Sequence, residues 1–204
     1  MPHFAPFRHR LLGLAFRLPL AAALACGGAR APAASSPAAS ASGTGSPGAR
    51  IVRVSDGNTA AILLTSHNAD LAAARIAVSR AQHRDVKLLA RSMVTDHTAL
   101  SVTLTRLVAS AEITPREDDV SRLLRDQSAA RRDTLRRLAA WSFDSAYVES
   151  EVRFHEDLLV ALDQVFLPSV RNASLKEYVI SMRPAIASHL ALAEQVRAII
   201  AESR

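Results

Sequence analysis

The stretch from residue 57 to residue 110, GNTAAILLTSHNADLAAARIAVSRAQHRDVKLLARSMVTDHTALSVTLTRLVAS, decides the fold. Its apolar residues recur at spacings of three and four, the period of one face of an α-helix. Ser55 or Asp56 can cap a helix over about 57–81, whose inner seam is Leu63, His67, Asp70, Ala74 and Ala77. A second helix over about 83–110 carries Val86, Leu89, Ala90, Met93, His97, Leu100, Leu104 and Leu107. Only a short turn near Gln82 separates the two, which predicts an antiparallel hairpin. Thr114-Pro115 closes this segment, because the residue before a proline is pushed out of the helical region.

Working outward, an Arg-rich helix is expected over about 117–139, with Glu117, Asp118 and Asp119 suited to its N-terminus. The next helix is expected over about 142–167, from a Ser142 cap to Pro168, with Tyr147, Glu151, Phe154, His155, Leu158, Leu162 and Val165 on its seam. The last is expected over about 173–203, with Leu175, Val179, Met182, Ile186, His189, Ala193, Val196 and Ile200 inward and Pro184 bending it. No segment alternates like a strand. The chain is 49% hydrophobic but only 4% aromatic, so its core is built from small and aliphatic side chains that suit close-packed helices. The prediction is an all-α fold over residues 51–204: a ferritin-like four-helix bundle made of two antiparallel hairpins joined by a long helical crossover.

The expected bundle holds five histidines, of which His83 falls in a turn and reads as solvated surface. The other four come one per long helix: His67, His97, His155 and His189. His67 precedes Gln82 by fifteen residues and His97 follows it by fifteen, so the two are level in an antiparallel hairpin. His155 and His189 are nearly level about the second turn. Asp70 lies one turn from His67, and Glu151 one turn from His155, each on the same face. Six polar groups at one height make a candidate metal site, and imidazole with carboxylate suits Zn, Fe, Mn or Ni. The same six can also satisfy one another without metal, as Glu151–His155 and Asp70–His97 pairs.

The N-terminal part reads differently. Arg8, His9 and Arg10 precede an apolar stretch from Leu11 to Ala25, interrupted by Arg17 and Pro19, that ends in small residues, the form of an export signal over residues 1–25. Cys26 follows at once and resembles the lipidated cysteine of bacterial lipoproteins, although Ala23 stands where that pattern prefers Leu. Lipidation would attach the chain to a membrane; otherwise Cys26 is a free thiol in the tail of a soluble periplasmic protein. Residues 26–50 are a linker rich in Ala, Ser, Pro and Gly, with nothing to bury. The expected location is thus the periplasm or the outer membrane of a bacterial cell envelope. A single cysteine excludes a disulfide framework and multi-cysteine metal sites. The formal charge of +6 comes mostly from five arginines in residues 1–50; removing them leaves about +1, too little for a nucleic-acid partner.

His67-Asn68-Ala69-Asp70-Leu71, Asp85-Val86-Lys87 and Met93-Val94-Thr95-Asp96-His97-Thr98 resemble the first hairpin of a ferritin-like family of exported bacterial proteins, domain of unknown function 4142. Some of its members carry a "putative outer membrane protein" label. Phe143-Asp144-Ser145-Ala146-Tyr147, His155-Glu156, and Pro184 before His189-Leu190 match its second hairpin. The resemblance covers about residues 55–200 and implies fold and export, not a reaction. This chain departs from the family in having Asp70 for the usual Glu, Glu151 for a hydrophobic residue, and Phe154 before His155 for a second aspartate.

Two functions compete at this point. One is a binding or structural module of the envelope, metal-associated through the six central residues. The other is a redox metalloenzyme. A di-iron site of the carboxylate type needs two Glu-x-x-His motifs, and the chain has none. Phosphate loops, nucleophile elbows and HExxH motifs are also missing, so an enzyme is the weaker reading. The crossover arginines Arg122, Arg125, Arg131, Arg132, Arg136 and Arg137, interleaved with Asp126 and Asp133, read as a solvated face, with an anionic lipid or polymer as the rival partner. Ferritin-like bundles often dimerise, so a homodimer is one candidate assembly, but nothing in the sequence specifies an interface and the oligomeric state stays open.

Overall fold

The computed structural model describes residues 54–203. The expected signal segment, Cys26 and the linker lie outside the described residues. Five long helices run in the order α1 Asp56–Arg80, α2 Arg84–Ser110, α3 Asp119–Arg137, α4 Ala140–Ala161 and, after a π-helical turn at Leu162–Phe166 and the short α5 Leu167–Ser169, α6 Ala173–Glu202. The described residues contain no strand, so the all-α expectation is met. α1 packs on α2 and along α3, α4 packs on α6, and α2 meets α6. α3 is therefore part of the body of the fold rather than a strap across it.

Local chemistry sets the ends of these helices. The Ser55 side chain accepts from the Asn58 amide to start α1. Asp118 and Ser121 form a reciprocal capping box on α3. The expected Ser142 cap is not used: α4 begins two residues earlier, behind Ala139, because α3 and α4 are joined by Leu138 and Ala139 alone. α2 ends at Ser110, as the sequence reading places it, and the ending is set locally before Pro115 is reached. Glu112 takes a left-handed φ of 54°, Ile113 N–H bonds the Val108 carbonyl at 2.9 Å, and Glu112 N–H bonds that of Ala109. This is a Schellman ending with a residue other than glycine in the left-handed position. Pro184 lies inside α6, which continues through it.

Three side chains tie the helix ends together. Asp144 accepts from the Gln82 and His83 amides at the α1–α2 turn, at 3.0 and 2.6 Å. Asp56 accepts from the Arg171 and Asn172 amides before α6, at 2.9 and 3.0 Å. Arg80 donates to the carbonyls of Leu135 and Leu138, both at 2.6 Å, at the C-terminus of α3, and its guanidinium lies 5.1 Å above the Phe143 ring. Gly57 is required where it stands: a Cβ there would come within 2.7 Å of the Thr114 carbonyl oxygen, which crosses the first turn of α1.

The core divides into two apolar clusters along the helices. One holds Ala74, Ala77, Leu89, Met93, Phe143, Tyr147, Ala193 and Val196. The other holds Leu63, Leu104, Leu158, Leu162, Leu175, Met182 and Ile186. On α1, α2, α4 and α6 the sequence passes from one cluster to the other across the histidine and carboxylate positions. A buried polar layer thus separates two apolar halves.

Candidate metal centre

The polar layer contains all six residues singled out from the sequence. His67 and Asp70 come from α1, His97 from α2, Glu151 and His155 from α4, and His189 from α6; every one is buried. The level counted for the hairpin is met, with His67 Nδ1 3.2 Å from His97 Nδ1. The rings of His97, His155 and His189 gather with centroids 5.2 to 5.6 Å apart.

Hydrogen bonding decides which nitrogen of each ring is protonated. The Leu100 carbonyl can only accept, so Tyr178 donates to it at 3.1 Å. The Tyr178 oxygen then accepts from His67 Nε2–H at 2.8 Å. Neutral His67 is left with a bare Nδ1, which accepts from His97 Nδ1–H. His97 Nε2 is therefore unprotonated, and it has no hydrogen-bond partner among the described residues. His155 Nδ1–H donates to the Glu151 backbone carbonyl at 2.9 Å, leaving Nε2 bare and unpartnered. His189 Nε2–H donates to the Asp96 carboxylate at 2.9 Å, leaving Nδ1 bare and unpartnered. Ser92 Oγ–H holds the same Asp96 oxygen at 3.1 Å. His67 is different from the other three, because both of its ring nitrogens are engaged.

The carboxylates are equally underused. Among the described residues, both oxygens of Asp70 and Glu151 Oε2 make no hydrogen bond of good geometry, although the two carboxyls and Arg131 lie close together. The pairs expected from the sequence are loose: His97 Nε2 is 3.4 Å from Asp70 Oδ2 without bonding geometry, and His155 bonds the backbone of Glu151 rather than its carboxylate, which lies at 3.6 Å. These two histidine–carboxylate pairs thus do not account for the layer. A buried unsatisfied polar group costs about 1–3 kcal/mol, and five of these side chains carry one.

Electrostatics keep His67, His97 and His155 uncharged. Burial, with the neighbouring imidazoles, pushes His67 down to about 3 and His97 down to about 2. Burial also lowers His155, against the opposing Glu151 carboxylate. Glu151 is pushed up to about 7, first by burial and then by the adjacent Asp70 carboxylate. Burial raises Asp70 too, and the Arg131 guanidinium opposes that rise. Neutral imidazoles with bare nitrogens are the form that binds a metal.

Three contributors were not legible as site residues. Arg131 leaves the run expected to be a solvated face: its side chain is only 16% exposed, its NH2 donates to Glu151 Oε1 at 2.6 Å, and its NH1 is 3.6 Å from Asp70 Oδ1. Its neighbours behave as expected, with exposed Arg122–Asp119 and Arg136–Asp133 pairs. Tyr178 and Asp96 orient His67 and His189 from outside the six. Asp96 stands beside His97 in the quoted motif, which was the available signal; Tyr178 had none.

One ring nitrogen from each of His97, His155 and His189 lies within 4.8 Å of the others, and the same holds for ligand atoms of Asp70, Glu151 and His155. These donors fit a transition-metal ion in residue type and in lying close together. Comparison with known proteins gives a family and nothing finer. No curated protein matches the chain, and no solved structure does. Residues 37–196 match the domain of unknown function DUF4142, and the chain belongs to that family.

Proposed function

We propose that this protein is an exported, ferritin-like helical bundle of the bacterial cell envelope that binds a transition-metal ion in its central polar layer. His97, His155 and His189 would be the primary ligands. Asp70 and Glu151 would supply carboxylate oxygens, and His67 would hold His97 in the correct tautomer. The observation that carries this reading is the set of three buried imidazoles, each with its distal nitrogen anchored and its other nitrogen bare and unpartnered. Ferritin-like character is supported by the two helix pairs, α1 with α2 and α4 with α6, that meet around this layer. The N-terminal sequence supports export, and Cys26 is the residue for membrane attachment.

The ligand set suits Zn, Fe, Mn or Ni. Burial favours a binding module over an enzyme, since each of the six residues is at most 4% exposed. The alternative is a redox metalloenzyme, in which a bound Fe or Mn would supply one-electron chemistry. Elemental analysis of the purified protein after exposure to each of the four metals tests the proposal. Stoichiometric metal in the wild type, lost in both His97→Ala and His189→Ala, is the expected result. No bound metal under any of the four conditions would reject it.

A further inference from the structure

The two convergent ligand sets share His155. They therefore describe two adjacent cation positions, a three-histidine pole and a carboxylate pole, as in sites that hold a pair of metals about 3.5–4 Å apart. The carboxylate pole already faces a cation of the protein's own. The Arg131 guanidinium reaches both carboxylates, at 2.6 Å from Glu151 Oε1 and 3.6 Å from Asp70 Oδ1. Its Nε donates to Ser150 Oγ at 3.0 Å, and its Cζ lies over the Phe154 ring, 5.6 Å from the ring centre. The guanidinium is thus held on three sides and cannot rotate freely away.

We propose that Arg131 is the built-in cation of the carboxylate pole, so that the site takes one divalent metal ion, at the three-histidine pole, and not two. This rests on the metal-binding reading above. Charge counting supports it. Even with both carboxyls ionised, two carboxylates and one guanidinium leave a net −1, which one divalent ion converts to +1. A second divalent ion beside a retained Arg131 would bring the buried cluster to +3, and like charges that close inside a protein repel strongly. A guanidinium also matches carboxylates geometrically, through parallel N–H donors that a point charge lacks.

The test is Zn²⁺ stoichiometry of the purified full chain by calorimetric titration and elemental analysis. The wild type should bind one equivalent, Arg131→Met two, and Arg131→Lys, which keeps the charge, one. One equivalent in both the wild type and Arg131→Met, at any affinity, would overturn the role of Arg131 and leave metal binding intact. Two equivalents in the wild type would overturn it as well. No binding by either protein would remove the metal reading and this inference with it. Should Arg131→Met be unfolded without metal, helicity should return only on adding two equivalents of Zn²⁺; full recovery with one would again overturn the proposal.

Discussion

His67 Nδ1 lies 3.2 Å from His97 Nδ1, and this contact leaves His97 Nε2 as the free nitrogen. The direction of donation is imposed from 111 residues away by Tyr178, which accepts from His67 Nε2–H and donates its own O–H to the Leu100 carbonyl. Tyr178→Phe removes the acceptor for His67 Nε2–H and frees both rings to change tautomer. Loss of a group that orients a ligand commonly weakens metal binding about 10–100-fold. Competition titration with Zn²⁺ should show a drop of that order, with the wild-type stoichiometry kept. An unchanged affinity would mean that the relay does not set the His97 tautomer.

Asp96 does the same for His189, accepting from Nε2–H at 2.9 Å from a partly exposed position. Asp96→Ala should also lower Zn²⁺ affinity about 10–100-fold and should alter the visible spectrum of the Co²⁺-substituted protein. Wild-type affinity and spectrum in this variant would show that Asp96 does not orient His189 for metal binding.

The buried histidines make the metal-free protein acid-sensitive. His67 and His97 are held at about 3 and about 2, and His155 is lowered, against 6.5 for a free imidazole. They stay neutral in the fold while the unfolded chain takes up protons, so their contribution is present above pH 6.5 and lost as pH falls below it. Glu151 runs the other way: raised from 4.5 to about 7, it contributes below pH 4.5 and loses that contribution as pH rises through 7. Asp70, also raised, works in the same direction as Glu151. Three imidazoles outweigh two carboxyls, so the melting temperature of the metal-free protein should fall from pH 6.5 to pH 4.5. Glu151→Gln removes an opposing contribution and should steepen the fall. A flatter profile in that variant would show that Glu151 is ionised throughout the range.

Gly57→Ala tests the loop that crosses α1. Alanine gains about 1 kcal/mol of helix propensity over glycine, but its Cβ would stand 2.7 Å from a backbone oxygen. That backbone is fixed by Arg116 N–H donating to the Gly57 carbonyl at 2.9 Å and by Asn58 donating to the Arg116 carbonyl at 2.8 Å. Overpacking costs about 1–3 kcal/mol, so the clash should win. A melting temperature lower by a few degrees, about 2–4 °C per kcal/mol for a domain this size, is expected; a rise would show that the loop yields.

The heights of the four histidines could be counted from the turns, because rise per residue is constant along a helix. The inward face of each helix was equally plain where small and aliphatic residues repeat, as at Ala74 and Ala77 or Val179, Met182 and Ile186. What could not be counted was the choice among the crossover arginines. Six of them share one helix, and only its packing along α1 turns Arg131 inward while Arg122 and Arg136 stay in water. The wide turn at Leu162–Phe166 was hidden for a related reason: Leu162 and Phe166 are both buried, and their spacing of four looks the same in an α-helix. Glu112 carries no glycine signal for its left-handed backbone.

Placing the polar layer between two apolar halves has a consequence for the order of assembly. The bonds that shape it span long stretches of chain, 93 residues from Asp96 to His189 and 111 from His67 to Tyr178. Contacts so distant in sequence bear the largest loop-closure entropy and form late. A chain still lacking α6 would hold His67 and His97 side by side but leave Asp96 and Leu100 without their partners. The central cluster is complete only when the last helix has docked, which makes its geometry a signature of the finished molecule and not of any fragment.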